Sequence, residues 1–207
     1  MIHIQVEMED LLKIESALNM ARDKSKMILR NAINNTAKQT ESRMADGAKS
    51  RYRYKKGNKS DIRKANSIEK ASAGKLSSTI RAKGPVNELL DFHVQPGAYY
   101  PGGKGAPKWV RARVLRGSRL SRIALRPGAS GDKYKGFVVR YPTGHMALAQ
   151  RVPGEHMKSN PRKELLRSLL SISTPKMEET VYKEEVSEGM YDLLEKNIEE
   201  QMKKFLK

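Results

Sequence analysis

Residues 2–45, IHIQVEMEDLLKIESALNMARDKSKMILRNAINNTAKQTESRMA, change their hydrophobic period once, and that change decides the fold class. Ile2, Ile4, Val6 and Met8 alternate with His3, Gln5 and Glu7, as a half-buried strand requires, because successive strand side chains point to opposite faces. From about Asp10 the apolar positions recur at three and four residues instead: Leu11, Ile14, Leu18, Ala21, Ser25, Ile28 and Ala32, supplemented by Leu29, Ile33 and Ala37. That spacing predicts one long amphipathic helix. Extended to Ala45 it has roughly 35 residues and spans on the order of 50 Å, more than a compact domain of this size covers. Part of its stripe is therefore expected against another subunit, with Leu18, Ile28 and Leu29 as candidate contacts.

Beyond the helix, Ala48 to Lys64 is the densest basic run of the chain: Lys49, Arg51, Arg53, Lys55, Lys56, Lys59, Arg63 and Lys64 stand against the single acid Asp61, with Tyr52 and Tyr54 interleaved. Ser60 is placed to cap a short helix through Ile62, Ala65 and Ile68. Leu76 to Ala82 and Val86 to Val94 then alternate about Gly84–Pro85, which predicts a hairpin. A Gly- and Pro-rich loop, 95–108, leads to a short strand at Val110–Val114 with Arg111 and Arg113 on its outer face, and Arg116 opens a second basic loop to Lys135. Phe137–Tyr141 and Met146–Val152 about the turn Pro142–Gly144 predict a second hairpin. Glu164 to Ile172 reads as a buried turn or short helix, and Thr174–Pro175 as the start of a last helix with Leu194 and Ile198 as further candidate subunit contacts.

Strand, long helix, strands, helix is the order of an α+β fold: a long N-terminal amphipathic helix packed on a mostly antiparallel sheet of hairpins, plus a C-terminal helix. The expected division is a domain of residues 1–175 with basic loops and an acidic C-terminal amphipathic helix, 176–207. Hydrophobic residues make up 38% of the 207 and charged residues 31%, so the core is modest and much of the chain faces water or partners. Forty-one Lys and Arg against 23 Asp and Glu give +18, a field that draws polyanions. From Met177 onward the net charge is −4, which leaves +22 on residues 1–176. Such separation suits head-to-tail contact between copies, the acidic helix of one on a basic face of the next.

Cysteine is absent, which removes disulfides, thiol nucleophiles and Cys-ligated metals. No stretch approaches the ~20 apolar residues that span a bilayer, and Glu7, Glu9 and Asp10 stand where a signal peptide carries bases, so no membrane role and a cytoplasmic site of synthesis are expected. The histidines, His3, His93, His145 and His156, include no pair at helical metal-ligand spacing. The loop Gly97, Gly102, Gly103, Lys104, Gly105 fails the P-loop spacing, and no nucleophile elbow occurs. Neither catalysis nor a cofactor is expected. The strongest chemical signal is the basic run, since Lys and Arg neutralise phosphates while a tyrosine ring stacks on a base; the plainer reading is a solvated face. Candidate phosphate contacts are Lys49, Arg51, Arg53, Lys55, Lys56, Lys59, Arg63, Lys64, Arg111, Arg113 and Arg116, and contact would be sequence-blind because no base-reading motif accompanies them.

Three stretches resemble the minor tail protein Z family of long-tailed bacteriophages and prophages: Asn31–Ala37 (NAINNTA) with the basic Tyr52–Ala65 segment, Gly136–Val152 (GFVVRYPTGHMALAQRV), and Leu165–Met177 (LLRSLLSISTPKM). They keep the family's order over most of residues 20–180, while the acidic helix after Met177 and the Gly-rich insertion at 95–108 depart from it. The resemblance implies a non-enzymatic virion protein acting in tail completion and head-tail joining at the neck. It also implies a homo-oligomeric ring around the DNA passage, for which a hexamer is the candidate size, with other tail and neck proteins and phage DNA as partners. Such a protein is assembled in the host cytoplasm and resides in the virion. A sequence-nonspecific nucleic-acid-binding module is the alternative the charge also supports.

Overall fold

Alternation at the N-terminus yields a strand, β1 (Ile2–Gln5), and the three-and-four spacing yields a 30-residue helix, α1 (Arg22–Arg51), in the computed structural model, which describes residues 2–5, 16, 22–56, 58–126 and 134–205. Val6, Met8, the predicted helical turns from Asp10 to Ala21 (with candidate contact Leu18), Lys133 and Leu206 fall outside the described residues or, in the case of the turns, almost wholly so. The chain is α+β and divides into two compact units of interleaved segments. Unit 1 comprises Met1–Ala48, Lys59–Gly84 and Thr174–Lys207; unit 2 comprises Lys49–Asn58 and Pro85–Ser173. The sequence places a boundary after residue 175; the second unit ends at Ser173, and the C-terminal residues fold with the first unit because their apolar side chains complete its core.

In unit 1, β1, β2 (Asn66–Glu69) and β3 (Ser77–Ala82) form an antiparallel sheet in the order β1-β3-β2. Its register aligns Ile2, Ile80 and Ile68 in one row across the three strands. Against Ile80 pack Leu29, Ile33 and Ala37 of α1, and Met190, Leu194 and Ile198 of α4 (Met190–Phe205) join the same core. The buried positions of α1, Ser25, Ile28, Leu29, Ala32, Ile33, Thr36, Ala37, Thr40, Glu41, Met44, Ala45 and Ala48, make one continuous stripe, two thirds of it small or polar. Of its polar members, Thr36 Oγ1 donates to the Ala32 carbonyl at 2.9 Å, while Ser25 Oγ and Thr40 Oγ1 are buried without a hydrogen-bond partner among the described residues. Asn34 holds the backbone of Ala71 in both directions, Nδ2 donating to the carbonyl at 3.1 Å and Oδ1 accepting from the amide at 2.8 Å. Asn197 of α4 donates to Thr36 Oγ1 at 3.0 Å and accepts from Gln39 Nε2 at 3.2 Å.

Four local expectations are corrected. Ile68 belongs to β2, not to the helix opened at Ser60, α2 (Lys59–Arg63), because pairing opposite Ile80 outweighs a three-residue spacing. Residues 76–94 form no hairpin: β3 is already paired on both sides, and Val86–Val94 belongs to unit 2. Glu164–Ser168 is strand, part of β9 (Asn160–Ser168), since a short apolar run alone does not separate helix from strand. The last helix is two, α3 (Thr174–Val181) and α4, separated by a wide turn in which the Ser187 amide donates to the Tyr182 carbonyl at 2.8 Å. The candidate subunit contacts are corrected as well. Ile28 and Leu29 have 0% exposure and Leu194 and Ile198 pack on the unit 1 core, so at these four positions the apolar side chains are covered by their own chain.

Unit 2 holds two three-stranded antiparallel sheets, β4 (His93–Gln95), β5 (Arg111–Arg113) and β6 (Ser121–Arg122) in one, β7 (Phe137–Arg140), β8 (Met146–Met157) and β9 in the other. The predicted hairpin is β7–β8, in register from Phe137↔Ala149 to Arg140↔Met146. Gly144, at φ 82°, closes its turn by donating to Tyr141 at 2.9 Å, a conformation that favours glycine. Val94 and Val110 of the first sheet region and Val138 and Leu148 of the second share one core.

Candidate nucleic-acid interface

Charge divides by unit along different lines from those read along the sequence. Unit 2 carries 21 Lys and Arg against 5 Asp and Glu, a net +16, whereas unit 1 carries 20 against 18, a net +2. The acidic C-terminal segment thus balances the bases of its own unit.

The basic run is divided by the same boundary. Lys59, Arg63 and Lys64 lie in unit 1, each on a carboxylate: Lys59 on Asp46 at 2.5 Å, Arg63 on Glu41 through Nη2 at 2.8 Å and Nε at 3.1 Å, and Lys64 on Asp61 at 2.9 Å. The Glu41 carboxylate, accepting both bonds, holds the Arg63 guanidinium above its ordinary pKa. The Lys59 and Arg63 pairs tie α2 to α1, the Lys64 pair lies within its own short segment, and all three cations face a carboxylate.

Lys49, Arg51, Arg53, Lys55 and Lys56 belong to unit 2. Leaving the end of α1, the chain runs antiparallel to Val114–Arg116: Tyr52 bridges Leu115, the Arg53 amide donates to Val114 at 2.8 Å, and the Arg116 amide donates to Arg51 at 2.9 Å. Arg116 Nε donates to the Lys49 carbonyl at 3.0 Å. Backbone pairing so brings Lys49, Arg51, Arg53 and Arg116 together. Next in chain, β5 turns Ala112 toward the core and Arg111 and Arg113 to the other face, where Arg111 stands directly opposite Arg122 of β6. The Arg122 guanidinium lies over the Trp109 ring, 5.4 Å from its centroid.

Lys56 is the exception in this group. It is paired with Asp91 at 2.7 Å, which raises its pKa. Among the described residues no carboxylate pairs with Lys49, Arg53, Lys55, Arg111, Arg113 or Arg116; Lys55 Nζ reaches the Leu90 carbonyl at 3.3 Å and Arg113 Nη1 the Ser118 carbonyl at 3.4 Å. Like charges directly opposite on neighbouring strands are destabilising, so Arg111 facing Arg122 without an acid is an arrangement that an anion would relieve. The tyrosines expected to stack on bases do not. Tyr52 is buried, and Tyr54 packs on Phe92 with ring centroids 5.4 Å apart and donates to Asn87 Oδ1 at 3.1 Å. Tyr52 is thus a core residue of unit 2, and Tyr54 is half-buried with its ring on Phe92.

Arg122 and Trp109 are members of this surface that the sequence did not single out, because a two-residue strand carries too little alternation to show which face Arg122 takes. His145, exposed, meets Glu88 at 3.0 Å, and Glu155 meets Arg167 at 3.2 Å. Among the described residues no group of three or more His, Asp or Glu is placed to hold a metal ion, and no helix is long and apolar enough to cross a membrane. No family model, no curated protein and no solved structure matches the chain, so the residues themselves carry the functional reading.

Proposed function

We propose that the chain is a structural subunit of a long-tailed phage or prophage, acting in tail completion and head-tail joining at the neck, as a ring of copies around the DNA passage. The resemblance in the three quoted stretches motivates the reading, and one observation supports it: the cationic surface of unit 2, where Arg111 faces Arg122 and where, among the described residues, no carboxylate pairs with Arg53, Lys55, Arg111, Arg113 or Arg116. A surface facing passing DNA needs sequence-blind attraction to phosphates, which guanidinium and ammonium groups supply without any base-reading element. Arg53, Lys55, Arg111 and Arg113 are the side chains proposed to line the passage.

Purified, nuclease-treated particles of the phage should contain the chain, and antibody-gold should mark the head-proximal end of the tail. A chain absent from the particles contradicts the reading. The concentration of charge in unit 2 equally favours a free, sequence-nonspecific nucleic-acid-binding module. A dedicated binder contacting six to ten phosphates retains useful affinity at physiological salt and loses roughly 10³ to 10⁵ of it between 50 and 200 mM. A tail subunit needs no such affinity alone, so duplex binding at physiological salt separates the two.

A further inference from the structure

One part of the unit 2 surface does not suit phosphates. Ser50, Arg51, Leu115, Arg116, Gly117 and Ser118 line a shallow, open depression in which the Leu115 side chain is 39% exposed. A phosphate backbone leaves an apolar side chain in water, whereas a protein partner with an apolar centre and an acidic rim covers it. Unit 1 presents such a surface. Tyr191 at the start of α4 is 78% exposed, the most exposed large hydrophobic among the described residues. At 3.6 residues per turn, Tyr191, Asp192, Glu195 and Glu199 fall within an arc of roughly 100°, opposite the buried side formed by Leu193, Asn197 and Gln201. Glu188 precedes this arc. Glu188, Asp192 and Glu195 are exposed and have no basic partner among the described residues, and Glu199 reaches Lys203 only at 3.9 Å.

We propose that Tyr191 of one copy docks in the Leu115 depression of a second copy, with Asp192, Glu195 and Glu188 around Arg116 and Lys49. Two different surfaces meet, so each copy offers one of each, and the contact propagates head to tail as a ring or filament requires. The charges steer and align the encounter, and the tyrosine-leucine contact supplies the water-excluding centre. The inference rests on the proposed role in one respect, that copies of the chain assemble with one another.

The test is sedimentation velocity of the full chain from about 5 to about 200 µM in low salt, with circular dichroism as the folding control. Concentration-dependent association is expected, weakened about tenfold by raising the salt to several hundred millimolar. Tyr191→Ala, at an exposed position, should abolish it without altering the fold. Asp192→Lys with Glu195→Lys should abolish it too, as should Lys49→Glu with Arg116→Glu, and the chain carrying all four reversals should regain it. A wild-type chain that stays monomeric overturns the contact, as does association indifferent to Tyr191→Ala and to both charge reversals. Either failure leaves the tail role to be judged by gold labelling of particles, which does not depend on which faces meet.

Discussion

Glu178 of α3 shows how one residue reports on a core that the charge pattern conceals. Its side chain is fully buried, Oε1 accepts from Asn66 Nδ2 at 2.7 Å, and both Glu178 Oε2 and Asn66 Oδ1 are buried without a hydrogen-bond partner among the described residues. Burial pushes the carboxyl up to about 7, the Asn66 bond opposing and Glu41 adding to the shift. The folded state thus holds this proton more tightly than the unfolded chain, whose carboxyl has its ordinary value of 4.5. The favourable contribution is complete below about pH 4.5 and declines as pH rises toward 7, by about 3 kcal/mol in all. Glu178→Gln keeps the acceptor and removes the titration. Urea denaturation at pH 5 and pH 8 should show the stability difference moving toward the variant by about 2 to 3 kcal/mol; a difference independent of pH contradicts the assignment. Gly47 is informative for a different reason: a Cβ there would collide with the Val181 side chain, where α1 meets α3. Gly47→Ala should therefore destabilise by about 1 to 2 kcal/mol, overpacking outweighing the gain in helix propensity, as thermal denaturation would reveal.

At the scale of elements, the local signals were legible and the non-local pairings were not. The alternation from Ile2, the three-and-four spacing from Ser25 onward, the Pro142–Gly144 turn and the Thr174–Pro175 start each depend on neighbours in sequence, and each leads to the expected element. Residues 160–168 pair with β8 through a ladder that no local period announces, and β3 takes β1 rather than Val86–Val94 as its neighbour. The eleven candidate phosphate contacts are likewise divided by pairings that the sequence does not announce, eight in unit 2 and three in unit 1. Arg53, Lys55, Arg111, Arg113 and Arg116 emerge together in unit 2, but Lys59, Arg63 and Lys64 are claimed by carboxylates up to 22 positions away. This division makes a prediction about salt dependence. Arg53→Glu with Arg111→Glu should lower duplex-DNA affinity of the full chain at low salt, reduce the slope of log affinity against log salt by about 2, and leave stability within about 0.5 kcal/mol. Arg63→Glu should leave that slope unchanged and cost about 2 kcal/mol or more, because Glu41 is nearly buried and loses its partner.

For the whole molecule, the decisive feature is that the net charge of +18 is almost entirely a property of unit 2, whose +16 stands beside a nearly neutral unit 1. Linear reading placed the contrast at Met177, between a basic body and an acidic tail, because it could not see that residues 174–207 fold with residues 1–48 and 59–84. Folding turns a charge gradient along the chain into a nearly neutral unit and a strongly cationic one, the latter with a field that attracts anions. The proposed tail role joins that division to the three stretches of resemblance. Its most direct test is deletion of the gene from an inducible lysogen of the phage, followed by negative-stain electron microscopy of the induced particles and a plaque count, with the wild-type gene restored in trans as control. Separated heads and tails, or joined particles that do not infect, are predicted, both reversed by the restored gene; normal particles with normal infectivity would contradict the tail role.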